Sequence, residues 1–316
     1  MGEYDSFARQ EQSVLKLSIG FTLLLSAGGI LTGVITGSSS IIFDGMYSAI
    51  DSIFSVAALL VARLIYLDAN RYSMETPRFT RRFHHGFWHL EPMLLALNGI
   101  SLTIAVCYGF FEAISSILAG GHTPEFGPAV KFSSIAIVLC VGMAVYETKR
   151  NKTIESDFIA VDIKSWIVSA GISLALLLAF IFADLITDTP YAGLLPFIDP
   201  VVLATIACIM FPMPLKIVFN AVQEILLITP VELDEKIRAV TDMIVERHNF
   251  SDCYYYLAKV GRSTMIEIHL VLPQHYNIGD IEFLDKVREE IGREIGEESP
   301  DRWLTVSFTG DEKWAI

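Results

Sequence analysis

Six apolar runs, each close to the length that crosses a bilayer, dominate this chain: Leu15 to Ile35, Ser39 to Tyr66, Pro92 to Leu118, Val130 to Tyr146, Ile159 to Ala183 and Ile198 to Phe219. A hydrocarbon core about 30 Å thick takes roughly 20 apolar residues of helix, and a backbone inside it has to satisfy its polar groups within the segment. The runs therefore predict six transmembrane helices. Composition agrees, with 53% hydrophobic and 19% charged residues and a mean hydropathy of +0.49 over 316 residues. The polar, acidic start "MGEYDSFARQEQS" lacks the charged n-region and cleavage site of a secretory signal, so the first run is expected to be kept as a span.

Charge in the connections sets an orientation. The intervals after the first, third and fifth runs carry no Lys or Arg, whereas the second connection holds Arg71, Arg78, Arg81 and Arg82 and the fourth holds Lys149, Arg150 and Lys152. Basic residues stay on the cytoplasmic side, which puts both termini in the cytoplasm of a protein of the cell (inner) membrane. A net charge of -13 argues against a nucleic-acid partner. Cys107, Cys140, Cys208 and Cys253 are far apart, without a CxxC pair, and read as packing residues.

After "AVQEILLITP" the pattern turns polar. Glu232 to His248 has helical periodicity, "CYYYLAKVG" and "STMIEIHLVLP" alternate with period two about a turn at Gly261 and Arg262, and Ile266, Ile268, Leu270 and Leu272 share one face. A second amphipathic helix, with Ile281, Leu284, Val287 and Ile291 inward, precedes a last strand, "RWLTVSF". The expected fold class is an α-helical membrane protein with six transmembrane helices, residues 1–222, followed by an α+β, αββαβ ferredoxin-like cytoplasmic domain, residues 223–316.

Acids inside the spans are the chemical signal, because a carboxylate at membrane depth is expensive and marks function by default. In the second run Asp44, Tyr47, Ser48 and Asp51 stand at i, i+3, i+4 and i+7, one stripe of a helix. In the fifth, Asp157 lies near the membrane edge and Asp162 about one turn deeper, a natural partner for Asp51. Carboxylates that face each other repel unless a cation sits between them or one is protonated, which is the physics of exchanging metal for protons. An oxygen-only set favours hard ions such as Mn²⁺, Fe²⁺ or Mg²⁺, with Zn²⁺ and Co²⁺ open. Structural alternatives are a helix cap at Asp44 and ion pairs with Lys164 or Arg63. A shared-proton aspartyl protease is a further alternative, but the sequence has no Gly-x-Gly-Asp stretch, and an enzyme is not expected.

The chain resembles the cation diffusion facilitator family. "DGMYSAID" is similar to its acid-x-x-ligand-x-x-x-Asp pattern, "GFWHLEP" to the start of its third span, "DIKSW" to the position of its His-or-Asp-x-x-x-Asp motif, and "IDP" at Ile198 to Pro200 to the start of its sixth. The αββαβ tail resembles the family's dimerisation domain. The resemblance implies a homodimeric antiporter that exports divalent cations against protons and holds no tightly bound cofactor. It implies a transport site on Tyr47, Asp51, Asp162 and Trp166, and a regulatory metal site in the tail near Cys253, His269, Ser307 and Thr309.

Two members of that transport set depart from the pattern: neutral Tyr47 ligates poorly, and Trp166 offers only an N–H. Either Asp44, Ser48 or water completes the shell, or the substrate is coordinated more weakly. The second choice leaves open a metal sensor with little flux. The loop "RRFHHGFWH" offers His84, His85 and His89 either as metal contacts or as part of a basic membrane-edge loop.

Overall fold

The computed structural model describes residues 2–69, 86–154, 157–261, 263–277, 279–296 and 302–316. Arg71, Arg78, Arg81, Arg82, His84, His85 and Arg262 fall outside the described residues, as does the side chain of Asp157. The chain forms two compact units: Met1–Ala57 with Leu97–Ile217, and Ala58–Ala96 with Val218–Ile316.

The apolar runs become α1 (Gly2–Thr36), α2 (Ser39–Ala69), α3 (Leu90–Leu118), α4 (Phe126–Ile154), α5 (Asp157–Ile186), α6 (Leu195–Met210) and α7 (Pro212–Ile225). Among the described residues six segments are long and apolar enough to span a membrane, α6 and α7 together making the sixth. That span divides at Phe211 because Pro212 lacks an N–H and starts a new helix without loss there. α4 continues past Tyr146. Its buried residues, Ala129, Ser133, Ala136, Cys140, Met143, Ala144 and Glu147, keep helical spacing across the point where the apolar run ends.

Glycines bring α1 and α2 together. A Cβ on Gly45 would lie 2.8 Å from the Ile30 nitrogen and 2.9 Å from the Ser26 carbonyl oxygen, and one on Gly33 would lie 2.7 Å from the Ile42 nitrogen. In lipid, where the tails are as apolar as the side chains, such close backbone packing is a main source of helix association. Ser26 Oγ also donates to the Gly45 carbonyl at 2.8 Å. The first turn of α2 is held by Asp199, 3% exposed, whose carboxylate accepts from Ser38 Oγ at 2.6 Å, the Ser39 N–H at 2.9 Å and Ser40 Oγ at 2.5 Å. An acid at a helix N-terminus satisfies free N–H groups and complements the helix dipole.

The second unit holds α8 (Val231–His248), β1 (Asp252–Val260), β2 (Ser263–Val271), α9 (Ile281–Ile295) and β3 (Arg302–Thr309). The sheet order is β1-β2-β3, with β1 antiparallel and β3 parallel to β2. The hairpin closes at the Val260–Ser263 pair, with Gly261 at φ +57° where a side chain would be strained. Ile266, Ile268, Leu270 and Leu272 pack with Ile237, Ile244, Val287 and Ile291 in one core. Ile281 departs from its expected inward place and is 74% exposed, because it is the first residue after the Asp280 cap, before α9 reaches the sheet; Ile295 completes the buried stripe instead.

Gly45→Val is expected to force α1 and α2 apart at a cost of about 1–3 kcal/mol, read as a lower melting midpoint of the purified protein. Gly20→Val, at a position with open space around it, should not lower the midpoint.

Candidate functional site

A cavity of about 340 Å³ opens within the helical unit, and the α2 stripe lines it: Asp44, Tyr47, Ser48 and Asp51 all contribute. The regular turn of α2 sets these four residues along one wall. Asp162 and Trp166 of α5 lie on the same cavity, and the Asp51 and Asp162 carboxyl groups are near enough to act on each other electrostatically. α5 reaches this position by packing along α4, with α1 against both.

Hydroxyl groups and Lys164 of α5 supply the rest of the polar lining. Ser18, Thr22 and Ser26 come from α1, and Ser52 from α2 is buried with its oxygen free of any partner among the described residues. Asn98 of α3, which sequence reading passes over, donates from Nδ2 to Asp51 Oδ1 at 3.3 Å and so orients that carboxylate. Its own Oδ1 is buried without a partner among the described residues. The available signal was a lone amide inside the apolar run "LLALNGISL".

Trp166 is 4% exposed and packs with Cys140, Met143 and Ala144. Its indole N–H donates to Ser18 Oγ at 2.9 Å, so at this position α5 contributes a hydrogen-bond donor in place of an ion ligand. Tyr47 packs partly against the apolar cluster around Phe43 and Leu203. No three His, Cys, Asp or Glu side chains among the described residues converge closely enough to form a complete metal cage. The arrangement sets the Asp51 and Asp162 carboxyl groups on one solvent-sized cavity together with hydroxyl groups and Lys164.

The four tail positions do not assemble. Strand pairing sets Cys253 opposite Leu270 and Tyr254 opposite His269. Side chains alternate along a strand, so Cys253 enters the core on the Leu270 side while His269 faces the other way. His269 has both ring nitrogens engaged, Nδ1 at 2.6 Å from Ser307 Oγ and Nε2 at 3.1 Å from Glu267 Oε1. Thr309 Oγ1 accepts from the Asp311 N–H at 3.1 Å and donates to its carbonyl at 3.0 Å, closing a turn. Strand alternation thus sets Cys253 and His269 on opposite faces of the sheet within one chain. His89 is exposed in the turn before α3.

A family model described as the cation efflux transmembrane domain matches residues 15–226. The manganese efflux system protein MneP of Bacillus subtilis (strain 168) is 27% identical over 209 residues, which cover 66% of this chain and 66% of that protein. The match thus spans just under two thirds of that relative's length.

Burial, with the charges of Asp252 and Asp242 adding to it, pushes the Cys253 thiol up to about 12. Thiolate is the reactive form, so iodoacetamide at pH 8 is expected to leave Cys253 unmodified in the folded protein and to label it after denaturation, as followed by peptide mass. Rapid labelling of the folded form would show that the thiol does not lie in the core.

Proposed function

The chain belongs to the cation efflux family, and from that premise we propose that it exports a divalent metal cation across the membrane, with Asp51 and Asp162 as its principal ligands. The observation that carries this reading is the pair of acids on α2 and α5 facing one cavity inside membrane-spanning helices. Acids within membrane-spanning helices are costly unless something compensates them, and a cation between them does so. Asp44 and Ser48 are further oxygen donors along the same wall, and Tyr47 and Trp166 shape it.

The substrate proposed is a hard divalent ion of the Mn²⁺ class. Carboxylate, hydroxyl and water oxygens suit such ions, while a zinc site ordinarily draws on imidazole or thiolate. The name of the relative in Bacillus subtilis supports the same choice. Incomplete coordination favours transport over storage, since an ion held by few protein ligands is released readily. Coupling follows from electrostatics: when the cation leaves, the facing carboxylates take up protons to relieve their repulsion, which makes the protein a proton antiporter.

In the same reading residues 1–222 form the transport domain and residues 223–316 a cytoplasmic dimerisation domain. The protein acts as a homodimer in the cell membrane with both termini in the cytoplasm. No enzymatic step is proposed.

In proteoliposomes with an imposed pH gradient, Asp51→Asn is expected to reduce the initial rate of Mn²⁺ transport by at least about tenfold, as the loss of an ion-binding group does. Transport of Mn²⁺, Fe²⁺, Mg²⁺, Zn²⁺ and Co²⁺ by this variant at the unmutated rate would overturn the ligand assignment. Tight Mn²⁺ binding by the unmutated protein with no flux under any gradient would establish the sensor reading instead.

A further inference from the structure

Facing α5, α4 carries an acid that the cavity-lining carboxylates leave unexplained. Glu147 is 0% exposed and is the last member of the buried stripe of α4. Neither of its carboxyl oxygens has a hydrogen-bond partner among the described residues. The groups beside it are Asp162 and Trp166 of α5 and Ser18 of α1, none of them a cation. Nor does any Lys or Arg among the described residues form an ion pair with Glu147 or Asp162.

A structural role accounts poorly for this arrangement. A buried carboxyl group with no partner is a burden on the fold, and a Met or Leu of similar size would fill the stripe without it. Two carboxyl groups side by side add repulsion to that burden, whereas a divalent cation shared between them turns the repulsion into attraction. Asp162 is placed to share such an ion in two directions, since it lines the cavity with Asp51 and also lies beside Glu147. Ser18 Oγ, fixed by the Trp166 N–H at 2.9 Å, adds a hydroxyl to the same corner. The donors there are all hard oxygens.

We infer that Glu147 is a ligand of the transported cation, binding it together with Asp162 on the α4 side of the cavity. The inference rests on the export reading above and adds to it a residue from a third helix. It also gives a place to the oxygen that Trp166 does not supply: the ligand comes from α4, with the tryptophan N–H holding Ser18 next to it.

The test uses the full chain purified in detergent, with Mn²⁺ as the hard probe and Cd²⁺ as the soft one, and reads equilibrium binding by calorimetry and by the Mn²⁺ paramagnetic resonance signal. Glu147→Gln is expected to weaken Mn²⁺ binding by at least about tenfold. Glu147→Cys is expected to weaken Mn²⁺ and to strengthen Cd²⁺ by a similar factor, because a thiolate in direct contact favours the softer ion. A residue that only props the helices would not exchange one preference for the other. If Glu147→Gln does not fold, the Cd²⁺ affinity of Glu147→Cys decides. Unchanged Mn²⁺ and Cd²⁺ affinities in the Glu147 variants, beside lost Mn²⁺ binding in Asp51→Asn, would overturn this inference and leave the export reading standing. An unmutated protein that neither binds nor moves any divalent cation would overturn both.

Discussion

A carboxyl group held between apolar helices gives up hydration that the helices cannot replace, and Asp162 is held so with Asp51 and Glu147 each near it. Asp51 receives an amide hydrogen bond from Asn98, Asp162 borders a cavity, and Glu147 has neither a hydrogen bond nor a cation among the described residues. The hydroxyls of Ser18, Thr22, Ser26 and Ser52 soften the same region. On the export reading proposed above, a divalent ion offsets these charges together, which a scaffolding role leaves uncompensated.

Such a site works only if the α2 stripe is held in rotation and height, and the structure does this with small residues. The glycines of α1 and α2 allow the two backbones to meet, Ser26 bonds the Gly45 carbonyl, and the buried Asp199 grips the first turn of α2 through three serines. Gly45 follows Asp44 directly, so the tightest packing point and the upper end of the acid stripe are adjacent in sequence. Asp199 belongs to a different class of acid from Asp51: its carboxylate oxygens are already used by protein donors, so its burial is compensated within the fold.

In the second unit the geometry is that of an ordinary folded domain. One apolar face of β2 joins α8 and α9 in a core, and the opposite face carries His269 in hydrogen bonds to Ser307 and Glu267. Both ring nitrogens are engaged there, and Cys253 lies partly buried against the core on the far side.

Much was decided by sequence alone. Length and hydropathy are enough to specify six spans, because a bilayer has a fixed thickness and forbids unpaired backbone; period-two alternation is enough to specify the faces of β2, because a strand repeats every second residue. The i, i+3, i+4, i+7 spacing put Asp44, Tyr47, Ser48 and Asp51 on one stripe for the same geometric reason. Tertiary structure alone decided what each stripe meets. Asn98 became a partner of Asp51 only when α3 packed near α2, and Cys253 parted from His269 only when the hairpin fixed their register. Glu147 was hidden in sequence because it follows the last apolar residue of its run and precedes "TKRNK", and so reads as the start of a polar connection. The helix continues regardless of hydropathy, its buried spacing carries through residue 147, and the packing of α4 on α5 turns that residue inward beside Asp162. Periodicity tells which residues share a face, but only packing tells whether that face is turned to lipid, to water or to another acid.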